Sequence, residues 1–315
     1  MPTFGYILYS YFNDKNNNGN NDDDNDNDKD KDKNVINDNN ISNATTKNFL
    51  EKGKVIKRPS LSVKSPYMAD ILLYNDAKNE YIEEDCNKIL AHTPSLGCSG
   101  YVDKNKEVLL LPKLGSKTKS SHSVEFAYEL NTNILVGTNP NIANTIVYNL
   151  LTNNCLEKFK NYNNANVKRE KTKGKSRFDI YIKDNEGIEH FIEIKTAPIK
   201  DFKNNCAIFP KGYRKKKSDT FSPRAIKHLE ELTLLAKEEK TKCYFIFVVP
   251  RIDVDYFTPC KEDPLYCSTF TKAVESGVKM ISFSTTLSEN KKDIIFNKFL
   301  PVRFNIKKKT NNMEL

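Results

Sequence analysis

Ser176-Arg-Phe-Asp-Ile-Tyr-Ile-Lys-Asp-Asn-Glu-Gly-Ile-Glu-His-Phe-Ile-Glu-Ile-Lys-Thr-Ala197 decides how this chain of 315 residues is read. Two alternating segments, SRFDIYIK and IEHFIEIKTA, flank the turn residues Asp184-Asn185-Glu186-Gly187, which is a hairpin signal. Glu193 and Lys195 stand two apart on the second segment and therefore share a face, while Ile192 and Ile194 turn the other way. Whether Asp179 joins them depends on the loop. A three-residue loop, Asn185–Gly187, pairs Asp184 with Ile188 and sets Asp179 opposite Glu193, with Gly187 in the left-handed position such loops need. A two-residue loop pairs Asp179 with Ile192 instead and turns Glu193 to the opposite face.

With the odd-length loop, two carboxylates and one ammonium converge. That set suits a hard divalent cation bound by oxygens, magnesium or manganese, held by Asp179 and Glu193 with the carbonyl of Ile194 as a further ligand. Such an ion polarises a phosphodiester and lowers the pKa of a bound water. Lys195 beside it could orient that water or neutralise phosphate charge. The same spacing also describes a solvent-facing row of charges on a half-buried hairpin.

Outward from the hairpin, the elements alternate. Asn141–Phe159 reads as a helix with a partial apolar face, and a polar, basic stretch (161–177) precedes the hairpin. A short edge strand is expected near Cys206–Phe209. Ser222-Pro223 supplies an N-cap and an N1 proline for a helix to about Lys237. CYFIFVV (243–249) is a continuous apolar run, as expected of a strand buried on both faces. Asp263-Pro264 opens another helix, and Val278–Phe283 is a further strand. Residues 136–306 therefore form an α/β domain. Upstream, MADILLY (68–74), NKILAHT (87–93) and EVLLLPK (107–113) are short strands separated by turn residues, so 56–135 is a small barrel or sandwich. Residues 11–48 hold almost nothing to bury, and 1–55 reads as a disordered Asn/Asp-rich extension. Residues 307–315 read as a basic C-terminal tail.

Charge points to a polyanion. The first 50 residues carry nine Asp and five Lys, so the chain's net +9 leaves +13 on residues 51–315. Lys168, Arg169, Lys171, Lys173, Lys175 and Arg177 precede the Asp179 segment, and Lys211, Arg214, Lys215, Lys216 and Lys217 follow the hairpin. If six phosphates were neutralised, log K would fall against log salt with a slope of about −5 on duplex DNA. These contacts would carry no base specificity. In a Lys/Asn-biased chain the same lysines can also simply solvate loops.

Other chemistries fit poorly. Seven Cys without C-x-x-C spacing argue for reduced thiols in an intracellular protein and against a structural zinc site. GSKTKS (115–120) lacks the full phosphate-loop pattern, and His190 reads as a strand residue rather than a ligand. Tyr67, Tyr74 and Tyr101 could stack bases on a barrel, although packing suits them better. No run of 18 apolar residues exists to span a membrane as a helix.

A helix, an Asp on the first hairpin strand and Glu-x-Lys on the second resemble the PD-(D/E)XK nuclease superfamily. More closely, about residues 58–305 resemble the sugar fermentation stimulation protein A family. The pieces are HTPSLG (92–97), Tyr128-Glu129-Leu130, Asn139 and Asn144 in TNPNIAN, SRFD (176–179), IEIKTA (192–197), PRAIKHLEEL (223–232), PRIDVDYFTP (250–259) and EDPLY (262–266). The resemblance implies an OB-like β-barrel followed by a nuclease-like α/β domain with a mixed sheet flanked by helices, and DNA as the partner. It puts Asp179, Glu193 and Lys195 at the nuclease-motif positions, and Arg224 and His228 in a positively charged helix pattern that would meet nucleic acid. Three features depart from the family: Pro94-Ser95-Leu96-Gly97 in place of the usual turn, Ile226 where Gln is usual, and the lysine-rich KGYRKKK (211–217). Three functions follow as expectations: a metal-dependent nuclease, a DNA-binding transcriptional regulator that keeps the nuclease shape without turnover, and a scaffold acting through its Asn/Asp-rich tail.

Overall fold

The computed structural model describes residues 7–10, 50–113, 118–153, 166–174, 176–212, 216 and 218–304. A short strand, β1 (Ile7–Ser10), comes first in the chain. The barrel strands follow: β2 (Glu51–Lys57), β3 (Met68–Asn75), β4 (Glu80–Tyr81), β5 (Lys88–His92), β6 (Glu107–Pro112), β7 (His122–Tyr128) and β8 (Leu135–Gly137). Five of them close a ring in the order β2, β6, β7, β5, β3 and back to β2, so the barrel is OB-like, with β4 on β3 and β8 on β7. Closure leaves the inward side chains Val55, Ile71, Ala91, Val108, Leu110, Val124 and Ala127 as one core.

The second half runs α1 (Asn141–Thr152), β9 (Val167–Lys173), β10 (Ser176–Lys183), β11 (Glu189–Thr196), β12 (Lys200–Asp201), β13 (Cys206–Phe209), α2 (Pro223–Leu235), β14 (Thr241–Val249), β15 (Tyr256–Pro259), α3 (Pro264–Glu275), β16 (Lys279–Leu287) and β17 (Asp293–Phe299). Its main sheet has seven strands in the order β1-β17-β16-β14-β11-β10-β9, parallel across β11, β14 and β16 and antiparallel elsewhere. One face packs on α1 through Ile146, Leu150, Ile180, Ile192, Ile194, Ile246 and Phe283. The other packs on α2 and α3 through Leu229, Leu232, Phe245, Phe247, Tyr266 and Phe270. Central β14 is covered on both sides, which is why its sequence is an unbroken apolar run. Both expected caps form. Ser222 Oγ accepts from the amide of Ala225 at 3.3 Å, and Asp263 Oδ1 from that of Tyr266 at 3.0 Å.

The barrel shares the α1-side core, to which it contributes Leu50, Leu109 and Phe126. At this junction Gly137 gives its amide to Pro250 O at 2.9 Å, and a Cβ on Gly137 would stand 2.8 Å from Pro250 Cβ. Proline cannot turn that atom away. Gly137→Ala is therefore expected to destabilise the chain by about 1–3 kcal/mol, read from the midpoint of urea unfolding.

Several expectations change. The segment read as a disordered extension, 1–55, contains β1 and most of β2; the rest of 1–49 lies outside the described residues, as does the 307–315 tail. β1 reaches order through a partner distant in sequence, β17, and β2 is half-polar because one side faces out of the barrel. The division at 135/136 falls inside β8, a barrel strand by its pairing with β7. Within the basic stretch before Asp179, Val167–Lys173 pairs with β10 as the outer strand of the sheet, so its lysines stand on a strand. Cys206–Phe209, expected at an edge, is the middle strand of a separate three-stranded sheet, β12-β13-β15. Among the described residues, no helix is long and apolar enough to cross a membrane.

Candidate functional site

The hairpin takes the odd-length loop. The amide of Asp184 bonds Ile188 O at 2.9 Å, Gly187 has φ +79°, and Ile180 pairs with Ile192. The paired register ends at Ile180–Ile192; beyond it Asp179 comes near enough to Glu193 to feel its charge and meets β11 through its side chain, which accepts the Ile194 amide. Asp184 caps the turn, its Oδ1 accepting the amides of Glu186 and Ile188 at 3.0 and 2.8 Å. His190, 2.9 Å from Asp184 Oδ2 and stacked on Tyr244, belongs to this scaffold.

Asp179 is held from two sides. Its Oδ2 accepts the amide of Ile194 at 2.7 Å, and its Oδ1 accepts Asn144 Nδ2 from α1 at 3.0 Å. Burial raises its pKa, and the charge of Glu193 raises it further, against the pull of Lys195 and the two hydrogen bonds. Glu193 is only 1% exposed. Its Oε1 accepts both Lys195 Nζ and His228 Nδ1, whereas its Oε2 is buried and has no hydrogen-bond partner. Burial alone would raise its pKa, but the bond from His228 and the charge of Lys195 outweigh it and hold the carboxyl below its usual range.

A divalent cation fits this donor set. Two nearby carboxylates repel each other, and one keeps a buried oxygen whose lone pairs meet no donor, a costly arrangement in a low-dielectric site. Asp179 and Glu193 would hold the ion. Among the described residues no three His, Cys, Asp or Glu side chains form a complete cage. The set therefore suits an ion that keeps several water or phosphate ligands, as magnesium does.

The cations expected to meet nucleic acid separate into groups. Lys168 and Arg169 are exposed on β9, with Arg169 over the Tyr148 ring at 4.2 Å. Lys173 is half-buried between Glu189 (3.3 Å) and Glu238 (3.1 Å), and Arg177 pairs with Glu170 at 3.1 Å. Lys216 and Arg224 are exposed. Lys175, Lys215 and Lys217 lie outside the described residues. His228, grouped with these cations from sequence, is buried and turned onto Glu193. Of the tyrosines, Tyr101 is buried at the domain junction and Tyr74 packs edge-on against Tyr81, while Tyr67 stays exposed. Sequence reasoning missed the contact from Asn144 to Asp179. Its signal is a polar side chain in the first turn of α1, between the core residues Ile142 and Ile146.

Comparison with known proteins agrees with the geometry. The pattern described as the sugar fermentation stimulation protein RE domain matches residues 141–291, the span that carries Asn144, Asp179, Glu193, Lys195 and His228. A sugar fermentation stimulation protein homolog of Desulfotalea psychrophila is 30% identical over 220 residues, covering 68% of this chain and 85% of the relative. This chain belongs to the sugar fermentation stimulation protein family. A second family member, from Desulforamulus reducens, is 30% identical over 215 residues and is 82% covered. The solved structure of the Pyrococcus furiosus family protein in complex with Ca2+ superposes with a TM-score of 0.64 at 19% identity, over 81% of this chain and 96% of that one. That match establishes the shared barrel-plus-α/β fold.

Proposed function

We propose that this family member is a DNA-binding protein that hydrolyses phosphodiesters with a magnesium or manganese ion held by Asp179 and Glu193. One observation carries the reading: Glu193 Oε2 is buried without a hydrogen-bond partner, beside Asp179 and two residues before Lys195. The solved Pyrococcus furiosus relative in complex with Ca2+ supports it, because Ca2+ prefers the same hard oxygen donors. The bound ion would polarise the phosphodiester and favour hydroxide over water. Lys195 would orient the attacking water and neutralise phosphate charge. Asn144 and the Ile194 amide keep Asp179 in place.

A second reading draws on a different observation. Glu193 is already compensated by His228 and Lys195, so the site can persist without an ion or turnover. That would suit a DNA-binding regulator. The two readings separate in a magnesium and manganese titration against single- and double-stranded DNA and RNA. Metal-dependent cutting that disappears in Glu193→Ala supports the nuclease, and salt-sensitive binding without cutting under either metal supports the regulator.

Binding itself has an expected salt dependence. Lys173, Arg177 and Lys211 are engaged by carboxylates, which leaves Lys168, Arg169, Lys171, Lys216 and Arg224 as the described, exposed cations among those expected to bind. Five phosphate contacts give a slope of about −4.5 for log K against log salt on duplex DNA. Affinity that does not change with salt would count against a polyanionic partner.

A further inference from the structure

The two oxygens of Glu193 have different surroundings. Oε1 receives His228 Nδ1 and Lys195 Nζ, while Oε2 receives nothing. The terminal torsion of a glutamate is broad and roughly two-fold, so little in the side chain itself decides which oxygen points where. Lys195 sits on a flexible four-carbon stem and would follow either oxygen. An imidazole on a packed helix would not.

Helix α2 is seated so that His228 can make this choice. Ala225, Leu229 and Leu232 are fully buried in the core under the sheet and fix the helix's rotation. Three residues after His228, Glu231 accepts the hydroxyl of Ser176 at the start of β10. The helix is thereby tied to β10, which carries Asp179, through Glu231, and to β11, which carries Glu193, through His228. Because an ionised carboxylate only accepts, His228 must carry its proton on Nδ1 in this contact.

We propose that His228 is a positioning residue which, by holding Oε1 of Glu193 from α2, reserves Oε2 for a divalent cation. This rests on the metal reading of Asp179 and Glu193 given above and adds an outer partner to it. Metal-ligating carboxylates commonly depend on such hydrogen bonds for their orientation.

The test is Mn2+ binding to the full chain by titration calorimetry, with no nucleic acid and no turnover. His228→Asn keeps an N–H close to the place of Nδ1, His228→Gln moves it to about the place of Nε2, and His228→Ala removes it. Expected are affinities within about threefold of the parent for His228→Asn, and about 10–100-fold weaker for His228→Gln and His228→Ala. Parent-like binding in the Gln and Ala variants overturns the proposal, and so does an Asn variant as weak as Ala. If the Ala protein does not fold, the Asn–Gln pair carries the test, since both keep a polar amide and differ in where it sits. Glu193→Gln, run in parallel, separates the two levels. Parent-like Mn2+ binding there defeats the metal reading itself; weakened binding there with all His228 variants intact defeats only the positioning role.

Discussion

Replacing Arg251 by alanine is expected to cost about 3–5 kcal/mol of folding stability, because it leaves the buried carboxylate of Glu129 without its cation, while half-buried Asp253 keeps only Lys200. Arg251 is fully buried, yet each nitrogen of its fork is used. Nε bonds Asp253 Oδ1 at 2.7 Å, Nη2 bonds Asp253 Oδ2 at 2.8 Å and Glu129 Oε2 at 3.0 Å, and Nη1 bonds the hydroxyl of Tyr101 at 2.7 Å and Pro198 O at 3.0 Å. Tyr101 and Glu129 belong to the barrel half, and Pro198 and Asp253 to the α/β half. The guanidinium thus ties the two halves together through charge, beside the Gly137 amide–Pro250 carbonyl bond and the Tyr101 hydroxyl–Pro198 carbonyl bond. Without it, Glu129 and the Pro198 carbonyl lose a donor where water has little access. At about 2–4 °C per kcal/mol for a domain of this size, the melting temperature should fall by roughly 6–20 °C. Arg251→Lys should recover only part, since one ammonium cannot reproduce a planar fork. Arg251→Ala melting with the parent would show that apolar packing alone holds the halves together. The effect should extend to the site, because Pro198 lies three residues beyond Lys195.

The second large effect concerns Glu193. On the proposed nuclease reading, Glu193→Ala is expected to lower metal-dependent cleavage by at least about 100-fold, the scale set by losing one preorganised electrostatic group at a reacting centre. Binding of DNA should stay near the parent level, because the described, exposed basic residues expected to touch phosphate lie on β9 (Lys168, Arg169, Lys171), in the loop after the hairpin (Lys216) and at the start of α2 (Arg224). Alanine also strips the acceptor from His228 and Lys195, so some stability is lost as well. Glu193→Gln is the cleaner partner experiment. Its amide oxygen can still accept from both donors, while the charge that would hold the ion is gone. Cleavage by either variant at the parent rate would remove Glu193 from the chemistry. Loss of binding together with cleavage would instead mean that the fold around the hairpin had failed.

Much of the site could be read from the chain because its causes are local. Alternation over 176–197 marks two strands, the spacing of Glu193 and Lys195 puts them on one face, and Gly187 supplies the left-handed residue of the loop. Ser222-Pro223 and Asp263-Pro264 announce two helices through their own backbone chemistry. The apolar run of β14 announces a strand covered on both faces.

Other features had no local signature. Strand β9 reads Val-Lys-Arg-Glu-Lys-Thr-Lys, and as the outer strand of the sheet it needs no apolar alternation, so nothing in it distinguishes strand from loop. β1 is four residues whose order comes from β17, nearly the whole chain away. Arg251 is one of many basic residues, and only the meeting of barrel and α/β halves decides that it is buried.

By itself, then, the sequence determined the two hairpin strands, the capped helices and the buried strand around the site, the basic balance of residues 51–315 and the shared face of Glu193 and Lys195. Tertiary structure decided the odd-length register that brings Asp179 to Glu193, the turn of His228 inward onto that carboxylate, the contact from Asn144, and which cations are tied up by neighbouring acids. The physical reason is range. Propensity, capping and alternation act between residues a few positions apart, whereas the partner that a side chain finds when buried is set by segments 15 to 150 residues away that only packing brings within hydrogen-bonding distance.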